Sequence, residues 1–272
     1  MSIGFEGKVA VITGGAMGIG EATARRFAEL GAAVAILDRD SAAGEKNAHA
    51  LRAAGKRAEF YPCDVAIADQ VQTAINSAAE ALNGIDVLVS NAGIQRYGDV
   101  IATSDALWDE VMAVNLKGCF HAAKYAVPHM IQRSSGAIVV VGSVQTFTAV
   151  GNSAAYVTAK HALLGLARAM ALDYARSNIR VNCVCPGTID TPMLRWAASL
   201  DPDPEKVLAT CGRMHALGRV GRPEEVANAI AFLASDWASF ITGTALIVDG
   251  GMLVPTGGMG FQEGGTGAAT RK

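Results

Sequence analysis

The chain has 272 residues, 51% of them hydrophobic and 18% charged, and its 23 Lys+Arg against 25 Asp+Glu give a formal net charge of −2. That balance, without clustered basic residues, argues against a nucleic-acid or anionic-membrane partner, and no apolar run reaches the roughly 18 residues a bilayer span requires. A large core is available, the low charge suits an oligomer that hides surface, and the length fits one α/β domain.

In chain order, Met1 to Lys8 lead directly into a strand and leave no room for a signal peptide, so a cytoplasmic protein is expected. Short β-branched runs over 9–13, 33–38, 58–61, 85–90, 137–142, 180–185 and 244–249 read as seven strands. Helical patterns alternate with them. Ile19, Thr23, Phe27 and Leu30 step by four, four and three, and further helices fit 41–54, 69–82, 105–114, 116–132, 154–175 and 223–234. Several strands are almost wholly apolar, as parallel strands covered on both faces are. The reading is α/β: a single Rossmann-type doubly wound fold, its seven-stranded parallel sheet flanked by helices on both faces. Residues 1–254 form the catalytic domain. Within it, 188–221 break the alternation with Pro192, Pro202 and Pro204 and read as a substrate lobe, while 255–272 form a glycine-rich tail expected to be mobile.

Ligands bind such sheets at the carboxyl ends of the strands, and every chemically suggestive cluster follows a strand. Gly14, Gly18 and Gly20 mark a tight strand-to-helix turn where backbone can approach a pyrophosphate over a helix N-terminus. Asp38, eighteen residues beyond Gly20, ends the second strand, where a carboxylate can accept from both adenosine ribose hydroxyls and repel a 2′-phosphate. NAD is therefore expected over NADP, although Arg39 could pair with such a phosphate; Met17 adds no second cation.

Tyr156 and Lys160 stand four apart, on one helix face, thirteen residues after Ser143. Free tyrosine keeps its proton up to a pH of about 10, and a nearby cation favours tyrosinate, which makes a phenol a usable base. Ser143 is a neutral donor for an oxygen on which charge grows. The five cysteines, Cys63, Cys119, Cys183, Cys185 and Cys211, show no Cys-x-x-Cys pair, and the five histidines have no metal spacing, so no metal is expected.

With Thr13-Gly14-x-x-x-Gly18-x-Gly20, Asn91-Ala92-Gly93, Asn115, Ser143, Tyr156-x-x-x-Lys160 and Pro186-Gly187 in order, the chain resembles the short-chain dehydrogenases/reductases from Lys8 to about Gly251. The resemblance implies NAD(H)-linked hydride transfer between nicotinamide and a secondary alcohol or ketone, with Asn115, Ser143, Tyr156 and Lys160 catalytic. It implies that Asn115 perturbs its helix and holds a water linking the lysine to solvent. Asp64 and Val65 would hold the adenine, Met17 and Ile19 would lie in the glycine loop, and Asn91 and Gly93 would border the cofactor. Ile189 and Thr191 would meet the carboxamide and phosphate side, and Lys160 the nicotinamide ribose. A homotetramer packed through helices 116–132 and 154–175 is also implied.

Gln95, Arg96, Gln145, Asn152, Arg195, Trp196 and His215 are the polar and aromatic residues expected around a small-molecule substrate, and they favour a sugar, sugar acid or polyol. Two alternatives remain at this point: a 3-oxoacyl-[acyl-carrier-protein] reductase, against which Asp38 and the near-neutral charge count, and a dinucleotide-binding scaffold without turnover.

Overall fold

A computed structural model describes residues 3–254. The tail 255–272 lies outside the described residues. Strands β1 (Val9–Thr13), β2 (Ala33–Asp38), β3 (Ala58–Pro62), β4 (Val87–Ser90), β5 (Gly136–Val141), β6 (Ile179–Pro186) and β7 (Ala245–Val248) form one seven-stranded sheet in the order β3-β2-β1-β4-β5-β6-β7. Every pairing is parallel. This is the Rossmann-type doubly wound arrangement, and its strand order reverses between β1 and β4, where such sheets open a crevice.

Side chains one residue apart on a strand face opposite sides. Ala10 and Ile12 of β1 therefore join the core beneath α1 (Gly18–Glu29), α2 (Ser41–Ala53) and α9 (Pro223–Ala234), while Val9 and Val11 join the core beneath the helices of the other face. Those helices are α3 (Ala68–Leu82), α5 (Gly118–Gln132) and α6 (Ala154–Asp173). All residues of β1, β4 and β5 are buried, whereas the edge strands β3 and β7 are partly exposed.

Three departures from the sequence reading have physical causes. The strand expected from Ile85 begins at Val87, because the buried Asp86 carboxylate accepts from Val9 N–H at 2.9 Å and pairs with Lys8 and Arg133 at 3.3 and 3.5 Å. The two helices expected around Asn115 form one rod, in which α4 (Asp105–Met112) runs through a π-turn at Ala113–Lys117 into α5. In the lobe, Pro192 and Pro204 open helices α7 (Pro192–Ala198) and α8 (Pro204–Arg213). Proline suits the first helical turn, where its missing N–H has no intrahelical partner to lose, and Thr191 and Asp203 cap the two helices by accepting from Leu194 and Lys206 N–H at 3.3 and 3.1 Å.

Candidate active site

A cleft of about 760 Å³ runs along the carboxyl ends of the strands and receives Gly14, Asp38, Asp64, Asn91, Ser143 and Pro186, each from the end of a different strand or just past it. One wall is the glycine loop. Gly14 and Gly18 have φ of +63° and +58°, the left-handed region that glycine enters most readily, and a Cβ at Gly14 would lie 2.7 Å from Ala92 Cα. A Cβ at Gly20 would collide with the Gly14 carbonyl oxygen. Asn91 fixes the loop from β4 by donating to Thr13 O and Gly14 O at 3.1 and 2.9 Å. Met17 precedes α1 without a side-chain cap, so N–H groups of the first turn remain for an anion.

At the adenosine end, Asp38 accepts from Ala16 N–H and Asp40 N–H, both at 3.0 Å, which aims its carboxylate across the loop and leaves lone pairs for ribose hydroxyls. Asp64 accepts from Ala66 N–H at 2.9 Å, and the next residue, Val65, is buried and also lines the cleft. Gly118 makes room for it, since a Cβ there would lie 2.7 Å from Val65 Cγ2. The cradle, the uncapped helix end and the carboxylate together fit a dinucleotide.

Deeper in, Ser143 caps the 3₁₀ turn Val144–Thr146 and accepts from Gln145 N–H at 3.2 Å, which leaves its own proton to donate. Thr146 ties that turn to α6 by donating to Lys160 O at 3.2 Å. Tyr156 and Lys160 are 8% and 5% exposed, and the ammonium lies 5.5 Å from the phenol ring centroid. One ammonium proton goes to Val141 O at 2.9 Å, at the end of β5, and the other donors remain available. A buried lysine held this way places a positive charge at the cleft floor. Asn115 stands in the π-turn, as expected of a helix perturbed there, and its amide is spent on Ile94, accepting from its N–H at 2.8 Å and donating to its carbonyl at 2.9 Å. It holds the loop after β4 and is not among the cleft-lining residues.

Of the residues expected at the cofactor, Met17, Ile19, Gly93, Ile189 and Thr191 line the cleft, and of those expected around the substrate Gln95, Arg96, Gln145 and Trp196 do so. Three others are placed elsewhere. Arg195 forms a bidentate pair with Asp190 at 2.9 Å, Asn152 is an exposed turn residue with φ +59°, and His215 is 4% exposed and fully hydrogen-bonded. Arg96 reaches the cleft already paired with Glu110 at 2.7 and 3.1 Å. Unanticipated from sequence are Tyr97, which stacks on Trp196 with centroids 6.1 Å apart, and an apolar wall of Ile94, Val150, Met193, Met214 and Met252. For Ile94 and Tyr97 the available signal was their position after the Asn91-Ala92-Gly93 segment, and for Met193 and Met214 their place in the lobe; Val150 and Met252 carried none. The Gln145 Oε1 atom is buried without a partner.

A parallel sheet with this cleft at its switch point fits an oxidoreductase working with a dinucleotide. Residues 14–253 match a family model described as enoyl-(acyl carrier protein) reductase. The chain is 46% identical over 250 residues to a cis-4-hydroxycyclohexanecarboxylate dehydrogenase of Sinomonas cyclohexanicum, covering 92% of this chain and 98% of the relative. It is 42% identical, with the same coverage, to 2-(S)-hydroxypropyl-CoM dehydrogenase 3 of Xanthobacter autotrophicus. The ligand-free structure of Thermoplasma acidophilum aldohexose dehydrogenase superposes with a TM-score of 0.87 at 42% identity, covering 95% of this chain and 99% of that one. The protein belongs to the short-chain dehydrogenase/reductase family and is an oxidoreductase acting on CH–OH groups.

Proposed function

We propose that the protein is an NAD(H)-dependent dehydrogenase of secondary alcohols carried on a compact ring, sugars included. The observation that carries this reading is the convergence of Ser143, Tyr156 and Lys160 on the cleft that the glycine loop opens. Nicotinamide, when bound, supplies the hydride acceptor. Ser143 donates to the carbinol oxygen and holds it as negative charge grows, Tyr156 takes the hydroxyl proton, and Lys160 stabilises the phenolate through space while binding ribose hydroxyls. Asn115 positions the loop that flanks the reacting carbon. The alcohol loses a hydride from carbon and a proton from oxygen, and the same groups run the reduction in reverse.

The ring class rests on the wall. Met193, Met214, Met252 and the Tyr97–Trp196 stack offer flat and deformable apolar surface, and Gln95 and Gln145 add amides for substituent hydroxyls. Two of the relatives bear names of ring alcohols, a hydroxycyclohexanecarboxylate and an aldohexose. A sugar acid is less well served, since both Arg96 and Arg195 are already paired with carboxylates. Asp38 supports NAD over NADP. It also weighs against a 3-oxoacyl carrier-protein reductase, as does the net charge of −2.

Apolar side chains exposed on α5 and α6, Phe120, Ile131 and Leu172, support a homotetramer joined through those helices. No described helix is long and apolar enough to cross a membrane. Five cysteines without disulfides suit the reducing cytoplasm. The deciding experiment is a nicotinamide absorbance screen with NAD+ and NADP+ across cyclohexanols, aldoses, sugar acids, polyols and acyclic alcohols. Fastest turnover of ring alcohols with NAD+ is expected; a preference for NADP+, or activity confined to acyl thioesters, would overturn the reading.

A further inference from the structure

His215 follows the last residues of α8 and lies buried beneath the lobe. Its Nδ1 is 2.8 Å from Cys211 O and its Nε2 is 3.0 Å from Thr188 N. A carbonyl only accepts and an amide N–H only donates, so the imidazole is neutral, with its proton on Nδ1 and a lone pair on Nε2. One ring thus spans two elements. Cys211 belongs to α8, and Thr188 begins the chain that leaves β6 for Ile189 and Thr191 on the cleft wall. Gly187 permits the approach, because a Cβ there would lie 2.8 Å from Nε2.

Elsewhere the lobe is tied down by Leu217 N–H, which donates to Gly250 O at 3.1 Å, and by the Arg219 guanidinium, which donates to the Glu225 carboxylate of α9 at 2.7 and 2.8 Å. Its two stems meet where Gly221 N–H donates to Thr188 O and Asp190 N–H donates to Gly221 O, both at 2.9 Å, and at the mouth Trp196 stacks on the half-exposed Tyr97. Between base and mouth, the lobe contributes Met193, Leu194, Ala197, Cys211 and Met214 to the substrate end. The machinery expected to do the chemistry, Ser143, Tyr156 and Lys160, stands on other elements, after β5 and on α6.

We propose that His215 is a positioning residue that latches α8 to the segment after β6 and thereby sets the width of the substrate end of the cleft. The inference rests on the proposed dehydrogenase reading for what the cleft receives, but the latch itself is read without substrate. Losing the latch widens the pocket around parts of the alcohol remote from the reacting carbon. Such a change weakens binding of ground state and transition state alike, so it raises KM and leaves kcat nearly unchanged.

The test compares His215→Asn and His215→Gln in the full chain. Asparagine places an amide where Nδ1 was and keeps the bond to Cys211 O, but leaves Thr188 N–H without an acceptor. Glutamine reaches as far as Nε2 and offers Thr188 a carbonyl oxygen. Trypsin has sites in the lobe after Arg195, Lys206 and Arg213, and reference sites after Arg52 and Lys124 in α2 and α5. With His215→Asn, lobe cleavage and the alcohol KM are expected to rise on the order of tenfold, the effect of stranding the part-buried Thr188 N–H. Cleavage after Arg52 and Lys124 and the value of kcat should stay close to those of the parent. His215→Gln should return both readouts toward the parent.

Unchanged lobe cleavage in His215→Asn, equal acceleration at the reference sites, or a fall in kcat without a rise in KM would each overturn the latch. If no alcohol is turned over by the parent protein, the dehydrogenase reading fails while the cleavage pattern still decides the latch.

Discussion

Replacing Asp38 with alanine tests the cofactor assignment at its most specific point. The carboxylate accepts from Ala16 N–H at 3.0 Å, so its removal both deprives the adenosine ribose of an acceptor and releases the glycine loop. Hydrogen bonds to a charged acceptor contribute about 1.5–3 kcal/mol each. Two ribose hydroxyls on one carboxylate therefore amount to at least about 3 kcal/mol, which is a loss of more than about 10² in NAD+ affinity. A 2′-phosphate gains by the same change, because the repelling carboxylate is gone and Arg39, also on the cleft wall, is left to pair with it. The ratio of kcat/KM with NAD+ to that with NADP+ should fall by more than about 10². Steady-state kinetics with both cofactors at fixed alcohol give the ratio, and direct titration of the reduced cofactors separates binding from turnover. A ratio unchanged within about threefold, where the arithmetic asks for 10², would refute the ribose assignment.

Three further outcomes follow from the same geometry. Tyr156→Phe should bind NADH normally yet lose at least about 10²–10⁴ in kcat, so near-normal turnover ends the proton-transfer role. Glu225 is held down to about 2, first by the hydrogen bond from Arg219 and then by Arg222 N–H. A depressed carboxylate stabilises the fold above its ordinary value near 4.3 and loses that contribution as pH falls toward 2; Glu225→Gln should lower Tm at pH 7 by an amount that shrinks below about pH 4. A pH-independent difference in Tm contradicts this. Finally, burial pushes the Cys63 and Cys119 thiols up to about 12 and 11 and raises Cys211 as well, but of these three only Cys211 is half-exposed, on the cleft wall. A soluble alkylating reagent should modify Cys211 first, faster at higher pH, and a ring alcohol with NAD+ should protect it; mass mapping that finds Cys63 first would contradict the exposure of the substrate end.

The sheet was legible because its strands are buried on both faces and so stand out as continuous apolar runs, with β1 and β5 buried at every residue. The strand expected from Ile85 starts two residues late, where the Asp86 carboxylate takes the Val9 N–H, and the other edges lie within one residue of those expected. The lobe helices were hidden because Pro192 and Pro204, read as interruptions, sit at helix starts whose caps are single side chains. Three of the residues expected around the substrate, Asn152, Arg195 and His215, lie off the cleft for a different reason, and Arg96 reaches it already paired. Asp190 and Arg195 are five apart and Arg96 and Glu110 fourteen apart, and nothing local announces that each arginine is already paired.

The glycine loop and the Tyr156–Lys160 pair were legible because their geometry is local: one tight turn, and one helical turn. What the cleft accepts beyond the reacting carbon depends on side chains gathered from five places in the chain, namely Ile94, Val150, Met193, Met214 and Met252. In the sequence each is an ordinary apolar residue, and none of them is fully buried in the fold. Only the path of the lobe over the sheet makes them one wall, and that path is set at residue 188 by a neutral imidazole whose two nitrogens face a donor and an acceptor from different elements. Reaction type therefore resides in the α/β frame. If the proposed reading holds, substitutions at the lobe base shift preference among alcohols without moving the groups that handle the proton.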